Sequence, residues 1–315
     1  MKQKKVIFDT DLGADCDDVM ALDFIMAADK CGDCELIGVT YSGDVFNAIP
    51  CIYAILREHG YEYIPIGSTE ITGTSQRNWD IYATKVVDKF SYPDAPTYET
   101  VPSAVSLLRR LLSESEEPVK IISTGFFTNL ADLIESGPDE YSPLDGAALL
   151  KEKAEEIYVA ACNFWHIKFT PAGAEIISTQ PPTREYNVRR DVKSAQTFFN
   201  NCNVPVIVCQ YEVGNDMISG GPMVLRGGED HADSYSYIVH GSVNGRHSWD
   251  PVTAMCGIYG ELPWFELSVN GRVTVKDDSI TDFIPCSDGM CRVVNCRISK
   301  DKIAADIDKY TERLF

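Results

Sequence analysis

A chain of 315 residues with 44% hydrophobic residues is long enough for one large α/β domain or two ordinary ones, and its composition is not that of a disordered chain. The 47 acidic and 28 basic side chains give a formal net charge of −19, which disfavours nucleic-acid polymers, anionic membranes and phosphorylated small molecules as partners. We expect no membrane-spanning segment and no export signal, and the many cysteines within apolar segments predict a reducing, cytoplasmic location.

The first predicted element is a short apolar strand, KVIF, and a cluster of five aspartates follows it directly. These are Asp9, Asp11, Asp15, Asp17 and Asp18. Carboxylates so close together cannot all stay ionised without a counter-charge, and no lysine or arginine occurs between Asp9 and Lys30. The alternative is that one or two of them cap the helix whose apolar stripe begins at Val19, while the others are solvated. Because capping does not require five, we predict a site for a hard divalent cation.

Strand and helix patterns then alternate along the whole chain. Further strands are predicted at CELIGVTY, EYIPIG, PVKIIST, EEIYVAA and VPVIVCQ, and helices at SAVSLLRRLLSES and at the C-terminal SKDKIAADIDKYTERLF. The strands are mostly continuous apolar runs, which is typical of a sheet covered on both faces. The order predicts an α/β fold with a mainly parallel open sheet, helices on both faces, and one domain over residues 1–315. The polar segments SPLDGAALLKEKAEE and LRGGEDHADSYS are interpreted as insertions rather than domain boundaries.

Polar residues follow several of the predicted strands. Asp44 ends the SGD that comes after the second strand, Thr128 and Asn129 lie in TGFFTNL, and Asn163 lies in CNFW. Ligands of open parallel sheets bind outside the carboxyl ends of the strands. We therefore expect these residues to lie near the aspartates.

Four segments resemble those of the nucleoside hydrolases, the inosine–uridine-preferring family. DTDLGADCDDVMAL is similar to the N-terminal signature of that family, in which an Asp-x-Asp-x-Gly turn precedes a paired Asp-Asp. STGFFTNLA, REYNVRRDVKSA and HSWDPVTAM resemble three later family segments and occur in the family's order, from residue 6 to about residue 260. The resemblance implies the Rossmann-like nucleoside hydrolase fold. It also implies a homodimeric or homotetrameric glycosidase of nucleoside catabolism, which hydrolyses ribonucleosides to free base and ribose.

The resemblance further implies a ligand set and a mechanism. One Ca²⁺ would be held by Asp11, Asp18, Asp250 and the backbone carbonyl of Thr128, and Asp11 would help to activate the attacking water. Direct attack by water predicts inversion at the anomeric carbon. Asp17 would bind a ribose hydroxyl, and Glu185 and Asn187 would hold the other end of the sugar. The expected substrate-binding residues are Asp17, Asp44, Asn163, Glu185, Asn187, Trp249 and Trp79.

Three departures from the family pattern bear on these assignments. The loop between Gly13 and the paired aspartates is two residues longer than the compact family pattern, so Asp15 is a further candidate for the metal shell. A glycine–aspartate stands after the second strand, where many members have glycine–asparagine. Trp249 stands where some members place a histidine that protonates the leaving base, and an indole cannot supply that proton. His247 is the candidate acid closest in sequence.

Several aromatic residues and histidines remain open between a site role and a structural role. Residues 72–82 form either a mobile lid whose Trp79 stacks on a nucleobase or an ordinary surface loop. Trp165 and His166 follow Asn163 and are pocket candidates by position, although an isolated histidine is more often structural. A tyrosine pair, Tyr235 and Tyr237, is a candidate for closing the site from the other side.

Two other functions are compatible with parts of the sequence. A phosphohydrolase of the haloacid-dehalogenase type also has an apolar strand leading into Asp-x-Asp, and it would use Asp9 as a covalent nucleophile with Mg²⁺. A non-catalytic ribonucleoside-binding protein would keep the calcium cradle and lack the leaving-group acid. The TNLA, EYN and SWDP segments have no explanation in the phosphohydrolase reading.

Overall fold

The computed structural model describes residues 3–70, 79–180, 182–261 and 263–314. The strands are β1 (Lys4–Thr10), β2 (Cys34–Tyr41), β3 (Ile66–Ser68), β4 (Val119–Ser123), β5 (Ala154–Ala160), β6 (Ile167–Thr170), β7 (Gly173–Ile176), β8 (Val206–Cys209), β9 (Ile218–Ser219), β10 (Arg246–His247), β11 (Phe265–Leu267), β12 (Gly271–Val275), β13 (Thr281–Pro285) and β14 (Cys291–Cys296). The helices are α1 (Asp17–Lys30), α2 (Ala48–Glu58), α3 (Ala83–Lys89), α4 (Ala104–Glu114), α5 (Thr128–Glu135), α6 (Gly146–Lys153), α7 (Tyr186–Arg190), α8 (Val192–Asn201), α9 (Tyr211–Gly214), α10 (Gly221–Gly227), α11 (Ala232–His240), α12 (Trp249–Tyr259) and α13 (Lys300–Thr311). Among these, no helix has the length and apolar character needed to cross a membrane.

The central sheet is mainly parallel, as predicted. Its strand order is β13-β12-β14-β8-β5-β4-β1-β2-β3, and β11 pairs with β14. Within this sheet, neighbouring strands pair in parallel along the order β3-β2-β1-β4-β5-β8-β14. The strands β11, β12 and β13 pair antiparallel at one edge. This antiparallel edge was not predicted, because its strands are short and carry polar residues.

Strand β1 lies inside the sheet because its residues are apolar on both faces. Val6 and Phe8 pack into one hydrophobic core cluster, and Ile7 packs into the other. Successive side chains of a strand point to opposite faces, so these three residues join the two layers of the molecule. All three have no solvent exposure.

Helix α1 is buried along most of its length. Its residues from Asp17 to Ala28 are all buried, and it lacks a solvent-facing polar stripe. A helix that is apolar on all sides belongs to the interior of a protein. The two carboxylates at its start are therefore carried into the interior by the helix that follows them.

The two segments interpreted as insertions also contain regular structure. The first carries α6, whose N-cap Asp145 accepts a hydrogen bond from the backbone N–H of Ala148 at 2.8 Å. The second contains the beginning of α11. Short helices of this kind give little periodic signal within polar surroundings, so the sequence pattern did not indicate them.

Strand order reverses at β1. The chain runs from β1 outward through β2 and β3, and then returns to β4 on the other side of β1. The carboxyl ends of β1, β4 and β5 therefore meet at the position where parallel α/β sheets bind ligands.

Candidate active site

A cavity of about 500 Å³ lies over this edge of the sheet. Its size is that of a small-molecule site. The carboxylates that line it are Asp11, Asp15, Asp17, Asp18, Glu185 and Asp250.

Three of these carboxylates converge on one point. Asp17 and Asp18 begin α1, Asp250 lies in the first turn of α12, and one oxygen of each lies within 4.8 Å of the others. The Asp17 Oδ2 accepts the backbone N–H of Asp250 at 3.1 Å, and the hydroxyls of Thr10 and Thr124 donate to Asp18. These hydrogen bonds fix the orientation of the carboxylates before any ligand arrives.

The carboxylates of the cluster are buried and repel one another. Burial raises the pKa of Asp18 to about 7. Burial, followed by the charges of neighbouring aspartates, raises the pKa values of Asp11, Asp17 and Asp250 well above the usual range. A divalent cation removes both penalties, and an all-oxygen donor set is the one that Ca²⁺ prefers. The residues present therefore fit a hard divalent cation.

Asp9 has a structural role. It has no solvent exposure, and it accepts hydrogen bonds from Thr40 and Asn129 at 2.7 Å and from Ser123 at 3.0 Å. It thereby joins β1 to β2, β4 and α5. A carboxylate enclosed in this way cannot act as the nucleophile that the phosphohydrolase reading required of it.

Asp15, in the longer loop, is neutralised by Arg246. The guanidinium donates from Nε to Oδ1 at 2.8 Å and from Nη2 to Oδ2 at 2.6 Å. Burial alone would raise the pKa of Asp15, but the hydrogen bonds and charge of Arg246 lower it below the usual range. Asp15 already has a counter-charge, so the structure gives no support to its joining the metal shell.

Asn163, which also lines the cavity, offers an unused acceptor. Its Nδ2 donates to Thr183 at 2.8 Å, while its buried Oδ1 has no hydrogen-bond partner in the described part of the chain. The preceding Cys162 adopts a φ of 70°, which is uncommon for a residue other than glycine and often marks a functional site. This backbone geometry directs Asn163 to the cavity at the end of β5.

Glu185 and Asn187, which the family resemblance assigns to the sugar, both line the cavity. The Glu185 carboxylate accepts the backbone N–H groups of Asn187 and Val188, each at 3.0 Å. The Asn187 Nδ2 donates to the carbonyls of Thr124 and Ala160 at 2.8 and 2.9 Å, and these two bonds fix the orientation of the amide.

The predicted Thr128 carbonyl does not fit this geometry. Thr128 is the first residue of α5, and its hydroxyl donates to Asp191 at 2.5 Å. Carbonyls in the first turn of a helix point along the helix and are used within it. Thr124, at the end of β4, lines the cavity instead and contacts Asp18. Thr124 is therefore the residue of this segment that reaches the carboxylates.

Two further expectations are not supported by position. Asp44 is half-buried in the loop between β2 and α2, outside the residues that line the cavity. His247 also lies outside that lining, and its ring packs on Trp249 at 4.9 Å. His240, at the end of α11, lines the cavity, and its Nε2 lies 3.9 Å from Asp15 Oδ1.

Trp249 and Trp79, two of the expected substrate-binding residues, both line the cavity. The Trp249 ring stacks on Tyr211 with centroids 5.5 Å apart, and its Nε1 donates to the Tyr211 carbonyl at 3.1 Å. Trp79 is 56% exposed and lies 6.5 Å from the ring of Tyr186. Most of the candidate lid, residues 72–78, lies outside the described residues.

The remaining aromatic and histidine candidates are placed elsewhere. His166 Nε2 lies 3.7 Å from Asp282, and neither His166 nor Trp165 lines the cavity. Tyr235 packs against Phe90, and Tyr237 has no solvent exposure. None of these four residues lines the cavity.

Sequence reasoning missed several residues of the cavity wall. The principal ones are Thr124, Tyr186, Arg184, Arg189, Tyr211 and His240. Arg184 and Arg189 are exposed and give the rim positive groups that the net charge of the whole chain concealed. His240 stands ten positions before Asp250, and only the fold of the intervening loop brings both to one cavity.

Comparison with known proteins gives consistent results. A family model described as inosine-uridine preferring nucleoside hydrolase matches residues 6–287. A pyrimidine-specific ribonucleoside hydrolase, RihA, of Escherichia coli is 29% identical over 111 residues, which is 35% of this chain and 29% of that protein. A RihA of Photobacterium profundum is 29% identical over 119 residues, 38% of this chain and 31% of that protein. The aligned part thus spans less than a third of the curated relatives.

Solved structures resemble the whole fold. The inosine-uridine preferring nucleoside hydrolase from Bacillus anthracis superimposes with a TM-score of 0.68 and 18% identity, covering 99% of both chains. A plant nucleoside hydrolase gives a TM-score of 0.66 and 20% identity, covering 99% of this chain and 98% of that one. At these identities the likeness establishes the fold alone.

Proposed function

This chain belongs to the inosine–uridine preferring nucleoside hydrolase family, and on that premise we propose that it is a calcium-dependent ribonucleoside hydrolase. It is a glycosidase that releases free base and ribose from a small-molecule ribonucleoside. The observation that carries the proposal is the convergence of Asp17, Asp18 and Asp250 beneath a cavity of about 500 Å³.

Asp18 and Asp250 belong both to the predicted ligand set and to the observed cluster. Asp17 either binds the calcium ion as a third carboxylate or accepts a hydrogen bond from a ribose hydroxyl. A calcium ion held there would supply the Lewis acidity that makes a neighbouring water a stronger nucleophile at neutral pH. Thr10 and Thr124 orient Asp18 for this task.

Asp11 serves as the general base. It lines the cavity beside the cluster, and burial together with the charges of Asp18 and Asp17 raises its pKa. A carboxylate with a raised pKa accepts a proton more readily than an ordinary one. Water activated on this side attacks the anomeric carbon directly, so inversion is expected.

The sugar is held on the Asn163 side of the cavity. The Asn163 Oδ1, which has no hydrogen-bond partner among the described residues, and the Asn187 Oδ1, whose amide is oriented by its Nδ2 bonds, are acceptors for ribose hydroxyls. A site that depends on such hydrogen bonds rejects a sugar that lacks the hydroxyl. We therefore expect 2′-deoxynucleosides to be poor substrates.

Arg246, rather than His247, assists the leaving base. Its guanidinium lines the cavity, lies 5.3 Å from the Trp249 ring and is fixed by Asp15. Its Nη1 forms no hydrogen bond within the described residues, so a donor remains for a base that leaves with negative charge. Trp249 cannot donate, because its N–H is already bonded to Tyr211.

The test is a product assay on purified protein with inosine, uridine and a nitrophenyl riboside. We expect free base and ribose in equal amounts, and Asp11→Asn should lower kcat by about 10²–10⁴-fold, the usual contribution of a general base. Ribonucleoside binding without turnover of any riboside would instead identify the non-catalytic binding protein. A cytoplasmic homodimer or homotetramer remains part of the proposal, and light scattering in solution tests the assembly.

A further inference from the structure

A second group of metal-binding residue types lies where α1, α2 and α11 meet. It contains Asp23 from α1, Glu58 and His59 from the end of α2, and His231 and Asp233 from the start of α11. Two overlapping sets, Asp23–His59–Asp233 and Glu58–His231–Asp233, each have ligand atoms within 4.8 Å of one another. None of the five lines the substrate cavity.

Asp23 is the residue that most needs a ligand. It has no solvent exposure, and neither carboxylate oxygen has a hydrogen-bond partner among the described residues. An unpartnered buried carboxylate is costly. A proton on one oxygen would remove the charge, but the other oxygen would still have no donor among the described residues. A cation satisfies both oxygens and the charge together.

His59 and Asp233 are already spaced as ligands of one ion. His59 Nε2 lies 3.1 Å from Asp233 Oδ2, and their side chains are 4% and 0% exposed. Two atoms bonded tetrahedrally to one zinc ion at 2.0–2.2 Å lie about 3.3–3.6 Å apart, so this pair needs to separate by only a few tenths of an ångström to bind one ion. A plain ion pair would account for this contact, but it leaves Asp23 unexplained.

Backbone hydrogen bonds orient the carboxylates of the group. The Ser234 N–H donates to Asp233 Oδ1 at 2.5 Å, and the Ala232 N–H donates to Glu58 Oε2 at 2.7 Å. Among the described residues, no lysine or arginine forms an ion pair with Asp23, Glu58 or Asp233. In this part of the chain, the histidines are therefore the basic groups paired with the carboxylates of the group, and neither of them is paired with Asp23.

We propose that Asp23, His59 and Asp233 bind a divalent transition-metal ion of the zinc class, with Glu58 and His231 closing the site toward solvent. Mixed imidazole and carboxylate donors suit such ions, whereas the oxygen-only cluster of the cavity suits calcium. His231 is the most accessible member, with 44% of its side chain exposed, and it marks the path of entry.

The proposed ion would join helices α1 and α11, which also contribute residues to the substrate cavity. Asp18 and Asp23 lie about 7–8 Å apart along α1, at 1.5 Å per residue. Helix α11 begins beside the proposed ion and ends at His240 in the cavity wall. The site therefore has a structural role, and it lies outside the hydrolytic machinery.

The experiment is zinc titration of the full chain in saturating calcium, followed by calorimetry and thermal unfolding. Wild-type protein should bind a single zinc ion per chain and unfold at a higher temperature with zinc, since the ion binds only the folded state. Loss of a residue that only orients a ligand usually weakens metal binding by about 10–100-fold. Asp23→Asn and His59→Gln each remove a proposed ligand and should weaken zinc binding by more than that. Asp288→Asn, an exposed surface change, should bind zinc as wild type does.

Three controls keep the outcome decisive. His231→Gln is half-exposed and should fold, so a weaker zinc affinity in that variant supports the site even if a buried variant does not fold. Asp250→Asn removes a proposed calcium ligand and should retain zinc. Cobalt(II) absorption should lack a thiolate charge-transfer band, which excludes the free cysteines as ligands. The proposal is overturned if wild-type protein binds no zinc, or if His231→Gln and Asp23→Asn bind it unchanged.

Discussion

Asp9 and Asp11 have different roles, one structural and one at the cavity, although a single residue separates them in the sequence. Asp9 lies within β1 and receives three hydrogen bonds from neighbouring elements, whereas Asp11 lies beyond the strand end and faces the cavity. Residue type and spacing cannot distinguish a carboxylate that supports the sheet edge from one that acts on a ligand. The surrounding strands decide which role each has.

The structural role of Asp9 predicts a loss of stability on substitution. Asp9→Asn keeps the shape but places an NH₂ group against donors, so the free energy of unfolding should fall by about 1–3 kcal/mol. Calcium affinity should remain near that of wild type. Urea unfolding and calcium titration measure the two quantities, with Asp288→Asn as the exposed control. Unchanged stability together with lost calcium binding would make Asp9 a ligand instead.

Arg246 and His247 are adjacent, and only Arg246 lines the cavity. Arg246→Gln should slow hydrolysis of inosine and uridine by about 10²–10³-fold, the usual effect of losing one donor to a developing anion. A nitrophenyl riboside should be little affected, because its phenolate leaves as a stable anion. His247→Gln is the matched control and should change neither rate. Equal losses on both substrates in Arg246→Gln would mean that Arg246 positions the sugar or the loop.

At the scale of the elements, the longer loop before α1 is tied to the segment before α12. The two carboxylate oxygens of Asp15 accept hydrogen bonds from the Arg246 guanidinium, so the loop and β10 are held together beside the cavity. The longer loop thus has a defined contact with the segment before α12.

This contact predicts a coupling energy that depends on pH. A double-mutant cycle of Asp15→Asn and Arg246→Gln should give about 1–2 kcal/mol, because both side chains are 30% exposed and solvent weakens the pair. The pKa of Asp15 is lowered in the folded state, so this stability is present above the ordinary aspartate pKa of about 4 and is lost as the pH falls through the lowered value.

The exposed pair Arg272–Asp288 is the control for this cycle and should show almost no coupling. Thermal unfolding over pH 2–8 measures both pairs. A coupling between Asp15 and Arg246 that persists at the lowest pH would contradict the ion-pair account.

The sequence predicted the elements that rest on continuous apolar runs. Strands β1, β2, β4, β5 and β8 and the aspartate cluster after β1 follow from such runs and from local charge density. The antiparallel strands near the C-terminus, the choice of Thr124 over Thr128, and the arrival of His240 and Arg246 depend on contacts between distant segments. Local patterns contain no information on those contacts.

At the scale of the whole molecule, net charge and local charge differ. The chain carries −19, yet exposed arginines line the rim of the cavity above its acidic floor. The net charge therefore agrees with the acidic lining of the cavity and conceals the arginines beside it. We keep the proposal that residues 1–315 form one domain, since the two hydrophobic clusters pack on opposite faces of one sheet.

The most direct measurement of the central claim is a calcium titration of chelator-treated protein, following ribose release and thermal unfolding together. Protein without calcium should be inactive and should unfold at a lower temperature. Added calcium should restore both properties over the same concentration range, because one ion completes the catalytic cluster and stabilises the folded state. Asp18→Asn should require far more calcium for both. Full activity in metal-free protein, or no hydrolysis of any riboside at saturating calcium, would contradict the account.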